Sequence, residues 1–162
     1  MYTGLKEVED YTQLDSNSFK CSNNYALDKI ILSNTRTTIS AYFAQSCVSL
    51  KEVINIGNIT SFGNYCFSDC VSFSSEMVFN SGLTLLGSQS FYRTSIKTVM
   101  FRNTDVLPTI KTNSFLQCKY LTDIYCPWAE GEVANAPWGA TNATIHYNTT
   151  YDENGNPIIE EE

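Results

Sequence analysis

Apolar residues recur along this chain in a fixed order, once every coil-length of about two dozen residues. Phe19, Phe43, Phe67, Phe91 and Phe115 are each separated by twenty-four positions. Four or five positions before each stands another apolar residue: Leu14, Ile39, Phe62, Leu86 and Ile110. After each Phe comes Cys21, Cys47, Cys70, Thr94 or Cys118, then an anchor that opens a short alternating run: LDKIIL, LKEVINI, SSEMVF, IKTVMF and LTDIYC. A period of this length with several residue types in register is the signature of a repeat protein. Each unit fits one strand, one tight turn around the Phe and a return segment. None could bury its apolar side alone, so the units must stack.

The alternation within the runs assigns faces. With Leu27, Leu50, Ser74, Ile96 and Leu121 as anchors, Ile30, Val53, Met77, Val99 and Ile124 point inward, because strand side chains alternate. Choosing Ser74 over Phe73 keeps Glu76 out of the core. The outward column is then Ile31, Ile54, Val78, Met100 and Tyr125, flanked on the same face by Lys29, Glu52, Glu76, Thr98 and Asp123. An apolar column on an open sheet face, with acids beside it, is expected to be a contact surface. The competing expectation is that a neighbouring segment or the tail folds over it.

Composition narrows the function classes. The apolar share of 43% supports a continuous core, and no run approaches the ~18 apolar residues of a membrane span. MYTGLKEVED lacks the basic-then-apolar layout of a secretion signal, so a soluble chain without membrane insertion is expected. All ten Lys and Arg lie in residues 1–125 with ten of the seventeen acids, and the remaining seven acids follow with no base. Nucleic acid, which needs clustered cations, is not an expected partner. The segment YDENGNPIIEEE reads as an acidic, solubilising tail with a turn at Asn154-Gly155.

Catalytic and metal chemistry have little support. Cys47, Cys70 and Cys118 fall at nearly the same coil position, with Cys21 close by, as a ladder of small buried thiols would; an occasional bridge is the alternative. Cys66 and Cys70 form the one near pair, without a second pair or a nearby His, so no metal is expected. The single histidine, His146, sits in ATIHYN, whose alternation predicts a final strand with His146 facing out. A Cys126–His146 dyad lacks any visible orienting acid or oxyanion site, and no cofactor motif is present. No enzyme activity is expected.

The units ISAYFAQSCVSLKEVINI, FGNYCFSDCVSFSSEMVF and IKTNSFLQCKYLTDIYC resemble the BspA-like leucine-rich repeats of bacterial surface and phage-associated proteins. The first coil displaces its Cys and the fourth substitutes Thr94 and shortens the next turn. After the last coil, CPWAEGEVANAPWGATNATIHYN carries two Pro-Trp pairs and resembles the terminal segment of phage structural and tail-module proteins. A solenoid's last coil exposes core and strand edge, and Trp128 and Trp138 have the bulk to cover it. The alternative is that they form a sugar-stacking platform.

The resulting expectation is a β-rich (α/β) solenoid of five stacked coils of about 24 residues with a C-terminal cap. Its segments are an N-terminal lead over 1–13, repeats over 14–127, a Trp-containing cap over 128–150 and an acidic tail over 151–162. The resemblance implies a non-enzymatic phage virion protein (decoration, fibre tip or tail) assembled in the host cytoplasm. It would contact virion subunits or a host-surface receptor, protein or glycan, and a homo-oligomer is compatible with it. A start at Met1 without a secretion signal or wall anchor favours this setting over the alternative, a bacterial cell-surface adhesin of the BspA type.

Overall fold

The computed structural model describes residues 5–9, 20–80, 82–102 and 106–159. Leu14 and Phe19, expected in the first coil's core, lie outside the described residues. In chain order the strands are β1 (Glu7–Glu9), β2 (Lys29–Ile31), β3 (Thr38–Ile39), β4 (Glu52–Ile54), β5 (Ser61–Phe62), β6 (Met77–Phe79) and β7 (Leu85–Leu86). There follow β8 (Thr98–Phe101), β9 (Thr109–Ile110), β10 (Asp123–Tyr125), β11 (Thr144–His146), β12 (Thr150–Tyr151) and β13 (Pro157–Ile158).

Coils two to five thus each contribute one strand to each of two walls. One wall holds β1-β2-β4 and β6-β8-β10-β11, the other β3-β5-β7-β9, and every pairing within them is parallel. The fold is a β-solenoid with almost no helix; among the described residues a single 3-10 turn spans Ile56–Asn58. The apolar residues preceding each Phe are the inward residues of the second wall. Ile39 pairs with Phe62, Phe62 with Leu86 and Leu86 with Ile110, and all four are fully buried. Between the walls, the rings of Phe67, Phe91 and Phe115 stack with centroids 5.7 Å apart at each step.

Phe43 is an exception to its own spacing. Tyr42 N donates to Asn64 O and Ser46 N to Ser68 O, whereas Asp69 N donates to Tyr92 O and Arg93 N to Leu116 O. The step from coil two to coil three is therefore one residue shorter than the next. Ala44 lies over Phe67, and Phe43 shares the level of Cys66. Its ring accordingly meets Phe67 edge-on at 70° rather than stacking.

One anchor needs correction. Phe73 is buried and Ser74 exposed, so Phe73 anchors coil three. That leaves one more residue between anchor and strand than Leu27–Ile30 or Leu50–Val53 has, yet Met77 is still buried and Glu76 exposed. The extra residue coincides with a break in the first wall, where β4 and β6 belong to different sheets. A side chain bridges the break: Ser75 Oγ donates to Lys51 O at 3.1 Å. Close approach persists in the second wall, where a Cβ at Gly87 would lie 2.6 Å from the carbonyl carbon of Gly63.

All six cysteines are free and buried. Cys47, Cys70, Thr94 and Cys118 form one column, each directly after a residue of positive φ (Ser46, Asp69, Arg93, Gln117). In coil one this place belongs to the buried Asn24, after Asn23, so Cys21 stands beside the column, on the level of Ala44. Each column thiol donates to a carbonyl of the preceding coil: Cys47 to Cys21 O (2.9 Å), Cys70 to Ala44 O (3.1 Å) and Cys118 to Phe91 O (3.0 Å). Burial raises the pKa of Cys66, Cys70 and Cys118 and pushes Cys126 up to about 12. Thiolate is the reactive form. In native protein at neutral pH these four should therefore alkylate slowly, and denatured, unreduced protein should label at all six thiols by mass. Two or more bridges would contradict the ladder.

Beyond the last Phe coil the stack continues. Ile124 pairs with Ile145, so the segment carrying the two Trp residues supplies β11 as one more rung, as the lead supplies β1 at the other end. Trp128 and Trp138 are buried, with rings 5.1 and 5.9 Å from that of Phe101. They are interior cap residues, and their burial removes them from the candidate binding residues and rules out a sugar-stacking platform. The described part of the tail turns at Asn154-Gly155, as expected, and packs back on the coils. β12 and β13 form an antiparallel hairpin, its turn tied by Asp152 carboxylate bonds to the amides of Asn154 and Asn156, with Gly155 at φ 79°. Tyr151 Oη donates to Phe101 O at 2.8 Å and Arg102 donates to Gly155 O, pinning the hairpin to the last coils. No helix among the described residues is long and apolar enough to cross a membrane.

Candidate functional site: the outward face of the first wall

Register places the expected column as drawn, in two halves. Glu9, Ile31 and Ile54 are aligned across β1, β2 and β4; Val78, Met100, Tyr125 and His146 are aligned across β6, β8, β10 and β11. Ile31, Ile54, Val78 and Tyr125 are half-buried. Met100 is only 6% exposed and so offers no contact area. The tail comes beside the column only at Tyr125 and His146, where Ile158 and Ile159 line the same cleft.

The charges beside the column divide in two. Glu52 and Glu76 are exposed, while Lys29 forms an ion pair with Glu7 at 3.6 Å. Asp123 is engaged: its Oδ1 lies 2.9 Å from His146 Nε2. The His146 ring also stacks on Tyr125, centroids 4.4 Å apart and 12° from parallel. His146 thus closes the column, beside a cleft of about 420 Å³ whose other side is Ile158 and Ile159 of the hairpin. The alternation in ATIHYN gave its outward direction; its neighbours follow only once Ile145 is aligned on Ile124.

This geometry separates His146 from Cys126. The thiol points inward and donates to the His146 backbone carbonyl at 3.6 Å, while the imidazole is held on the outer face by Asp123. An orienting acid is therefore present, contrary to the expectation from sequence, but the histidine it orients faces no nucleophile. Among the described residues no group of three or more His, Cys, Asp or Glu is placed to hold a metal ion.

The hydrogen bond from His146, with one from Thr122, holds the Asp123 carboxyl below its ordinary value. A lowered carboxyl pKa means the contact is present above the usual carboxylate range and is lost as pH falls through the lowered value. Asp123 should therefore titrate by NMR below an ordinary Asp, and His146→Gln should move its midpoint upward. An unmoved midpoint would show that the pair does not form.

A family model described as BspA type leucine rich repeat region (6 copies) matches residues 5–74 and 38–135. Neither a search of curated proteins nor one of solved structures finds a match.

Proposed function

Because the chain belongs to the BspA-type leucine-rich repeat family, we propose that it is a non-enzymatic protein-interaction or adhesion module that binds through the outward face of its first wall. The supporting observation is the half-exposed column of Ile31, Ile54, Val78 and Tyr125 with Glu52 and Glu76 beside it. Burying such a column is favourable at about 25 cal/mol per Å². The exposed carboxylates select a partner protein that sets cations beside an apolar strip.

The setting in which the module works is a phage virion, as a decoration, fibre-tip or tail component that meets a host surface or another subunit. That choice rests on the resemblance of the two Pro-Trp pairs, Pro127-Trp128 and Pro137-Trp138, to phage structural proteins. A bacterial surface adhesin would present the same face.

A photoreactive side chain at position 54 tests the face. The full chain carrying it should crosslink to one protein from virion or host-envelope fractions, and Glu52→Lys with Glu76→Lys should abolish that adduct. Adducts formed equally well by the charge-reversed chain would show that the carboxylates do not select the partner, and no adduct at all would move the contact elsewhere.

A further inference from the structure

The corner after the thiol column is built alike in four coils. A tight turn closes from Leu27 N to Asn24 O (3.3 Å), Leu50 N to Cys47 O (3.0 Å), Phe73 N to Cys70 O (3.0 Å) and Leu121 N to Cys118 O (3.2 Å). Its two-residue tip projects into solvent; Val71 is 40% and Tyr120 62% exposed. In coil four only Ser95 separates Thr94 from Ile96, so no tip can form. Ser95 instead turns to its neighbour, N to Phe73 O at 3.0 Å and Oγ to Val71 O at 2.6 Å.

The missing tip leaves a notch of about 240 Å³ between coils three and five, with Thr94 and Ser95 as floor and Val71 and Tyr120 as walls. This is below the ~300–1,000 Å³ of sites for whole small molecules. It fits one bulky apolar side chain. Arg93 and Lys119 line the same notch, and Asp69 pairs with Arg93 at 2.8 Å, leaving an excess positive charge at the rim. The matching ligand is an apolar side chain followed by carboxylates.

The chain carries that sequence itself. Ile158 and Ile159 are 51% and 65% exposed, and Glu160, Glu161 and Glu162 follow. We propose that the notch of one copy takes Ile159 of a second copy, with the glutamates that follow set against Lys119 and Arg93. The two surfaces differ, so the contact is heterologous and leaves each copy a free notch or tail for the next. This surface is separate from the sheet face, and its test does not depend on that reading.

Sedimentation velocity of the full chain should show mass rising with protein concentration at low salt and falling back when added salt screens the rim. Lys119→Glu should weaken association about fivefold or more, as should Glu160→Lys with Glu161→Lys, and the three changes together should restore it. Tyr120→Ala should weaken it without unfolding, since that ring is mostly outside the core. A chain that stays monomeric throughout, single variants that associate like the parent, or a charge swap without recovery would each overturn the proposal. So would a salt effect independent of protein concentration, which would place the tail in its own notch.

Discussion

Phe91→Ala is expected to cost about 3–5 kcal/mol in denaturant titration, a large share of the stability of a chain this size. Phe91 is fully buried and its ring lies 5.5 Å from Phe62, 5.7 Å from Phe67, 5.9 Å from Phe79 and 5.7 Å from Phe115. It therefore joins three successive coils and both walls, and truncation removes transfer energy, several ring contacts and the filling of a space that neighbouring strands cannot close. Because each coil touches only its neighbours, a lesion at the centre uncouples the halves. The denaturant slope should then fall as well, since less surface would unfold in one step. Tyr120→Ala, at a tip, serves as the comparison and should stay within about 0.5 kcal/mol of the parent. A loss at Phe91 no larger than that at Tyr120 would show that the Phe column is not the core.

What the sequence made legible was what hydrophobic burial dictates. The coil period, the inward residues of the first wall and the apolar position before each Phe from Phe43 on all follow from which side chains must leave water, and the structure places them accordingly. Register was harder, because it is set by backbone conformation. The turns around the Phe column place Tyr42, Tyr65, Gln89, Ser46, Asp69 and Arg93 at positive φ, where no glycine advertises the bend. With the turn hidden, equal spacing made Phe43 look equivalent to Phe67. The same limit explains Ser74, since an extra residue before a strand leaves alternation intact on both sides of it.

The candidate site was half legible for a related reason. Alternation predicts which way Val78 or His146 points, but not what crosses above them. In the tail the turn at Asn154-Gly155 was legible, but not the docking of its hairpin on two distant partners, Phe101 O and Arg102. Neither that docking nor the burial of Met100 is foretold by any periodicity in the repeats. Conversely, the pairing of Asp123 with His146 follows from adjacent rungs of one sheet and could have been read once β11 was counted as a rung.

Trp138→Ala is expected to cost about 3–5 kcal/mol, comparable in size to the central lesion but different in distribution. The ring is fully buried, its Nε1 donates to Ala134 O at 2.8 Å, and its backbone carbonyl accepts from Phe115 N at 2.9 Å. It thus ties the cap to the last Phe coil by side chain and main chain together. Truncation would leave a cavity beneath β11, against Phe101. In a stack whose units are held by their neighbours, loss at an end frays from that end. Hydrogen exchange should accordingly speed up first in β10 and β11, with β5 and β7 protected until global unfolding. The tail hairpin, which rests on the same coils through Phe101 and Arg102, should loosen with them, seen as faster exchange at Tyr151. If exchange instead rises evenly along the chain, the two ends are coupled more tightly than nearest-neighbour stacking allows, and the Trp-bearing segment is part of the central core rather than its cover.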